Sequence, residues 1–164
     1  MRDVLIIGIA CVATIFLGAW LYFSGVDTLR APAPIGGTAF IVLDQGTSSG
    51  SLTERKNYRI KNADELNELW YMVHGTGAPT TIDFQTKEII AVFDGTHTTG
   101  GYGIYVTSVN DTASANRMIS ITHIEPGQSC ATSDAITSPF QIIVLPKSDA
   151  PLVRDEKTVV SDCD

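Results

Sequence analysis

The stretch from residue 4 to residue 23 contains no charged side chain, and it constrains the fold more than any other feature. An α-helix rises about 1.5 Å per residue, so these residues would span roughly 30 Å, the thickness of the hydrocarbon core of a bilayer. Trp20 and Tyr22 stand near the end, where aromatic side chains often meet the membrane interface. We therefore predict a short cytoplasmic N-terminus over residues 1–3 and a single transmembrane signal anchor over residues 4–23.

Two alternatives to an uncleaved anchor stay open at this point. A cleaved signal peptide would have an apolar region of about 7–15 residues behind a basic start. Here the apolar run is longer, and Arg2 is the only basic residue before it. Lipid attachment at Cys11 is the second alternative. The positive-inside rule does not decide the orientation, because Arg2 and Arg30 nearly balance each other.

The cysteines provide the argument for sidedness. Cys130 and Cys163 are the only cysteines beyond the anchor, and neither belongs to a Cys-x-x-Cys or Cys/His metal pattern. Such a pair predicts a disulfide, which forms in an oxidising compartment. The folded part would then be extracellular or periplasmic. Two unrelated thiols are the alternative.

Residues 24–38 are rich in proline and glycine, which is typical of a spacer, and we assign residues 39–164 to the folded domain. The two basic and two acidic residues before position 31 cancel, so the rest of the chain carries the whole net charge of −7. A surface of that sign repels phosphate backbones. We therefore predict no nucleic-acid partner.

One amphipathic helix is predicted in the domain. Asn62 suits the N-cap position, and Glu65 follows at the spacing of a capping box. Gly75 ends the pattern as a C′ glycine. Apolar residues recur between these limits at helical spacing, namely Leu66, Leu69, Trp70 and Val73.

The remaining segments read as strands separated by polar turns. The run at Glu88–Phe93 is continuously apolar after its first residue, as in a strand that is buried on both faces. The other predicted strands are Ala39–Leu43, Glu54–Ile60, Tyr102–Val109, Arg117–Ile124, Phe140–Leu145 and a last edge strand at Val159–Val160. We predict an α+β domain of mostly antiparallel strands, either a sandwich or a partly open barrel, with one helix.

We find no convincing sequence motif for catalysis, metal binding or cofactor binding. Residues 46–50 match the G-x-S-x-G string around Ser48, but no helical pattern follows, as a nucleophile elbow requires. The three histidines lack metal-ligand spacing. We therefore predict a protein that is not an enzyme and has no catalytic residue, metal, cofactor or small-molecule substrate.

The glycine-rich segment from Gly95 to Tyr102 is the best candidate for binding. His97 is the one histidine placed in a loop of this kind, while Gly100 and Gly101 allow a close approach of another chain. Tyr102 has the apolar body and polar tip that are common at binding surfaces. The alternative is a hairpin turn from which Tyr102 enters the core.

Several short motifs in order resemble the C-terminal domain of the PrcB family of protease complex subunits. They are Asp83-Phe84, the run Glu88–Phe93 with Gly95, Thr99-Gly100-Gly101-Tyr102, Pro126-Gly127 with Cys130, Thr137-x-Pro139-Phe140 and Val144-x-Pro146-Lys147. The resemblance covers residues 39–163. It implies an exported bacterial accessory subunit, tethered to the membrane here by the N-terminal helix, that docks on and stabilises an exported partner such as a protease.

Under this interpretation the partner-binding candidates lie in the turns that carry these motifs, with Tyr102 and Phe140 as aromatic anchors. The full set is His97, Thr99, Gly100, Gly101, Tyr102, Pro126, Gly127, Thr137, Pro139 and Phe140. A second similarity gives an alternative. Chagasin-like protease inhibitors present three loops, which would correspond here to Thr99–Tyr102, Pro126-Gly127 and Ser138–Phe140.

Overall fold

The computed structural model of the chain describes residues 37–77 and 79–162. The predicted anchor, Cys11, nearly all of the spacer and Cys163 lie outside these residues. Within the described part, no helix is long and apolar enough to span a bilayer.

The described residues form one α-helix and seven strands in a mixed order, which confirms the α+β class. Their bounds are β1 (Ile41–Gly46), β2 (Arg55–Ile60), α1 (Ala63–His74), β3 (Lys87–Asp94), β4 (Gly103–Asp111), β5 (Arg117–Pro126), β6 (Phe140–Pro146) and β7 (Leu152–Ser161).

The strands build two separate sheets, so the domain is not a closed barrel. Four strands form an antiparallel sheet in the order β1-β6-β3-β2. The other three have the order β4-β5-β7, in which β4 and β5 are antiparallel and β5 and β7 are parallel. The prediction of mostly antiparallel sheets is therefore confirmed.

The four-stranded sheet is the middle layer of the domain, because its two faces belong to different cores. Ile89, Ala91 and Phe93 of β3 pack in a cluster with the buried stripe of α1. The intervening Ile90 and Val92 pack in a second cluster with apolar residues of β4 and β5. Alternate residues of a strand point to opposite faces, so a strand between two apolar layers must be apolar throughout. The structure confirms this prediction for β3.

The helix has the predicted caps. The Asn62 side chain accepts a hydrogen bond from the Glu65 backbone N–H at 2.9 Å, and the Glu65 carboxylate accepts one from the Lys61 N–H. At the other end Gly75 adopts φ +72° and its N–H donates to the Tyr71 carbonyl at 2.8 Å. Leu66, Leu69 and Val73 are buried.

A buried ion network ties the strands together away from the loops considered below. The Glu88 carboxylate is fully buried and accepts hydrogen bonds from the guanidinium groups of Arg59 and Arg117. Arg117 also pairs with Asp111 through two hydrogen bonds, at 2.8 and 2.9 Å. Hydrogen bonding to Arg117 lowers the pKa of Asp111. The same contact raises the pKa of Arg117, and Glu88 adds to that effect.

The last strand is longer than the sequence pattern predicts. Only Val159–Val160 has an apolar pair, yet β7 pairs with β5 over its whole length, from Leu152 to Ser161. All of its residues after Leu152 are exposed. An edge strand with little buried surface does not need the alternation of apolar and polar residues that marks a half-buried strand, so charged residues such as Asp155 can lie within it.

Candidate protein-docking surface

Two long connections meet at one end of the domain. The first joins β3 to β4 and contains His97, and the second joins β5 to β6 and contains Thr137. These two residues exchange backbone hydrogen bonds, with the His97 N–H donating at 2.7 Å and the Thr137 N–H donating at 3.0 Å. The sequence places the two residues forty positions apart, and the structure makes them neighbours in a short antiparallel bridge.

Further contacts fasten the two connections together. The Thr137 hydroxyl donates to the Thr99 carbonyl at 2.8 Å, and the Gly100 N–H donates to the Ser133 carbonyl at 2.9 Å. A Cβ atom on Gly100 would lie only 2.5 Å from the Ser133 hydroxyl oxygen. A larger residue at position 100 would therefore displace the Ser133 side chain, so Gly100 serves the close contact between the two loops. We call residues 96–102 and 131–137 together the docking surface.

Gly101 has a similar role on the other side of the loop. It adopts φ +91°, a conformation that side chains with a Cβ rarely take. A Cβ at this position would lie 2.9 Å from Pro126 Cβ. We predicted that Gly100 and Gly101 allow a close approach of another chain. In the structure, the neighbour that each glycine approaches belongs to the same chain.

The Tyr102 ring packs against the His97 ring. The two rings stack with centroids 3.8 Å apart and planes 7° from parallel, and both residues are half-buried. Tyr102 is therefore neither a core side chain nor a fully exposed anchor. Stacking fixes the orientation of both rings at the edge of the docking surface.

Phe140 and Pro139 lie elsewhere, below the surface. Phe140 is 4% exposed and stacks on Phe93 at a centroid distance of 5.8 Å. Pro139 is buried, and its carbonyl accepts a hydrogen bond from the Asp94 N–H. A buried ring has no surface to offer a partner, because alternation along β6 turns the Phe140 side chain toward α1. Because Phe140 is buried, the third loop of the chagasin-like comparison, Ser138–Phe140, has no exposed aromatic side chain.

The most exposed apolar side chain at this end is Ile136, which the sequence analysis missed. It is 76% exposed and immediately precedes Thr137 of the bridge. Single exposed apolar residues are common on protein surfaces, but Ile136 stands on a loop that hydrogen bonds hold in place on both sides. The only sequence signal for it is an isolated isoleucine in a run of small and polar residues.

Pro126 and Gly127 connect this region to the end of the chain. The Gly127 N–H donates to the Ser161 carbonyl at 2.9 Å, and Cys130 Sγ lies 3.2 Å from the same oxygen. Since Cys163 lies outside the described residues, its pairing with Cys130 stays a prediction.

A buried carboxylate lies directly beneath the docking surface. Asp94 is 5% exposed, and its carboxylate contacts the rings of His97 at 2.8 Å and His123 at 2.7 Å. His123 is also buried, on β5. Within the described residues, no group of three or more histidine, cysteine or acidic side chains has the geometry to hold a metal ion.

The G-x-S-x-G string forms a turn between two strands. Ser48 is exposed, while Ser49 is fully buried and its hydroxyl donates to the Leu52 carbonyl at 2.6 Å. Gly50 adopts φ +60° where a Cβ would collide with the carbonyl oxygens of Met72 and Val73. The turn leads into β2 rather than a helix, so it is not the strand-to-helix elbow of a hydrolase.

Comparison with known proteins adds one relationship. No curated protein and no solved structure matches the chain significantly. Residues 89–146, which extend from β3 through β6 and include the whole docking surface, match the model of the PrcB C-terminal family. This match confirms the resemblance inferred from the sequence over these residues, and its extension to residues 39–163 stays a prediction.

Proposed function

We propose that this protein is an accessory module that docks on an exported partner, in particular a protease, and stabilises it through the docking surface. The family match supports a protease-associated role. The choice of surface rests on the pair of backbone hydrogen bonds between His97 and Thr137, which hold the exposed Ile136 on a fixed loop. A surface that is rigid before binding loses less conformational entropy when its partner arrives.

The composition of the docking surface suits contact with a protein better than chemistry on a substrate. Apart from the acidic Asp134, its residues are small, polar or apolar, with one exposed isoleucine and one stacked histidine–tyrosine pair. The glycines of this surface bring its two loops together, and the exposed Ile136 that these loops present can serve as the central apolar contact of a protein interface. The proposal assigns the binding role to this shape and gives no residue a catalytic role.

The location of the module is also part of the proposal. We infer that residues 4–23 anchor it in a membrane and that the domain lies on the outer side, in the periplasm or extracellular space. A disulfide between Cys130 and Cys163 would fit the path of the chain, since Cys130 Sγ is 3.2 Å from the carbonyl of Ser161, two residues before Cys163. Such a bond would fasten β7 to the loop that carries the docking surface.

The test compares two exposed apolar side chains at different places. The full-length tagged chain is expressed in its native envelope as wild type, Ile136→Asp and Tyr71→Asp. Tyr71 is 68% exposed on α1 and therefore controls for the loss of any exposed apolar group. We expect Ile136→Asp to lower the amount of co-purified protease about tenfold or more and to shorten its half-life in a pulse-chase, whereas Tyr71→Asp leaves both unchanged.

Equal retention of the partner by Ile136→Asp and the wild type would refute the proposed surface. Equal loss with both variants, at unchanged folding of the tagged chain, would refute it as well, because the contact would then not be local to residues 131–137.

A further inference from the structure

Strand β7 is the longest of the four strands that end the two sheets. It has 10 residues and pairs with β5 in one unbroken register. The other end strands are shorter, and the pairing of β1 and of β4 is interrupted by a shift in register. A long, regular end strand presents a row of backbone N–H and C=O groups, and these can pair with a further strand.

The side chains of β7 are apolar toward both ends and charged in the middle. Val153 and Val159 are 38% and 41% exposed, and Val160 is 56% exposed. Between them lies the run of residues 154–157, Arg-Asp-Glu-Lys. Charges on an end strand usually prevent pairing with other strands. The order of these charges therefore decides which partner the strand can accept.

This order complements itself when a second copy of the strand runs antiparallel to the first. In the register that places Glu156 opposite Glu156, Asp155 of each copy faces Lys157 of the other. Val153 faces Val159 in the same register. Directly opposite residues lie on one face of the sheet with Cβ atoms about 4.5–5.5 Å apart, so these side chains meet. Two-fold symmetry forms each pair twice, which gives two ion pairs and two valine pairs.

The charges also select this register over its neighbour. A shift of one residue that pairs Arg154 with Lys157 also pairs Asp155 with Glu156, and like charges directly opposite each other are destabilising. In the favourable register the like-charged pair is Glu156 with itself. It lies on the other face of the strand, toward His123, where each carboxylate is 3.6 Å from Arg154 of its own chain. That arginine offsets the repulsion between the two carboxylates.

We propose that two copies of this chain associate through antiparallel pairing of their β7 strands. The pairing joins the two three-stranded sheets into one sheet of six strands, with the two-fold axis at Glu156. The partner is a second copy because the exposed residues of β7 complement their own sequence in this register. The docking surface contains no residue of β7, so the inference does not rest on the proposed function.

The experiment measures the dissociation constant of the dimer by sedimentation equilibrium of the full-length chain in density-matched detergent micelles. Asp155→Lys and Lys157→Asp each replace two opposite-charge pairs with two like-charge pairs, so each should weaken association about tenfold or more. The double variant Asp155→Lys/Lys157→Asp restores opposite charges and should associate about as tightly as the wild type. Glu68→Lys is the control, because it makes the same change in net charge at an exposed position of α1 and should have no effect.

A second measurement needs no variant. Isotope-labelled and unlabelled wild-type chains are mixed and treated with a carbodiimide, which joins a carboxylate to a nearby amine as an amide with loss of water. We expect mass spectrometry to find crosslinks between Asp155 and Lys157 in which one peptide is labelled and the other is not. Such a product can form only between two copies.

A monomeric wild type, or the absence of mixed-label crosslinks between positions 155 and 157, would overturn the proposal. Single variants that associate as tightly as the wild type would overturn it too, as would a double variant no tighter than the single ones. Should a variant not fold, the wild-type crosslinks decide. Because no partner protein is present, a negative result here leaves the docking test of Ile136 unaffected.

Discussion

At the scale of single residues, the buried ion network is the place where one side chain matters most for stability. Removing one member of a buried network leaves the others charged and unpaired, which costs about 3–5 kcal/mol. We therefore expect Glu88→Ala, which removes the carboxylate that pairs with Arg59 and leaves Arg117 paired with Asp111, to lower the free energy of unfolding by about that amount in urea denaturation. Asp149→Ala is the control, because that side chain is 99% exposed and lies 4.0 Å from Lys61. An equal effect of both substitutions would contradict this assignment.

The pKa of Asp111 predicts a pH dependence of stability. Hydrogen bonding to Arg117 lowers this pKa below the ordinary value of 3.8, so the ionised carboxylate stabilises the folded state. That contribution is present above pH 3.8 and is lost as the pH falls through the lower pKa of the folded state. Asp111→Asn should therefore destabilise the domain at pH 6, with the difference from the wild type shrinking toward pH 3. A difference that grows in acid would contradict this sign.

Two glycines with positive φ allow backbone strain to be separated from close packing. Gly75 has φ +72° and open space where a Cβ would lie, whereas Gly101 has φ +91° and Pro126 at 2.9 Å from that position. We expect Gly75→Ala to cost about 1 kcal/mol from the backbone alone. Gly101→Ala should cost about 1–3 kcal/mol more because of the clash. Thermal unfolding of the two variants measures the difference, and equal costs would mean that the loops yield to the added methyl group.

At the scale of elements, the helix tests the three-layer arrangement. Leu69 is 1% exposed between α1 and the middle sheet, and Tyr71 of the same helix is 68% exposed. Leu69→Ala should lower the free energy of unfolding by about 2–5 kcal/mol, and Tyr71→Ala by about 0.5 kcal/mol or less. Urea denaturation of the two variants provides the comparison. Similar values for both would place α1 off the sheet.

The helix and strands also show how much of the fold can be predicted from the sequence. Caps and periodicity place α1 correctly, and the apolar run of β3 predicts its burial on both faces, because both signals arise from local chemistry and burial. The length of β7 and its parallel pairing with β5 have no such signal, since its exposed residues bury too little to show a period. Phe140 fails as a predicted surface anchor for a related reason. Its place in a motif says nothing about which face of β6 it occupies, and the structure turns it into the core.

At the scale of the whole molecule, most of the candidate site is predictable as a set of residues but not as an assembly. His97, Thr99 and Gly100 are brought to Thr137 and its loop by hydrogen bonds between residues far apart in sequence, which no local pattern encodes. Asp94 is not among the residues predicted from the sequence, because a single aspartate at the end of an apolar strand has no distinctive pattern. Its role emerges only when β5 and the loop are seen to share its carboxylate.

The most direct test of the account is photo-crosslinking from single positions of the full-length chain in its native membrane. A photoreactive amino acid is placed at position 136, or at position 71 as the control, and the products are identified by mass spectrometry. We predict one dominant crosslink from position 136 to an exported protease and none to that protein from position 71. Crosslinks to the protease from position 71 alone, or from neither position in a sample where it co-purifies, would contradict docking through residues 96–102 and 131–137.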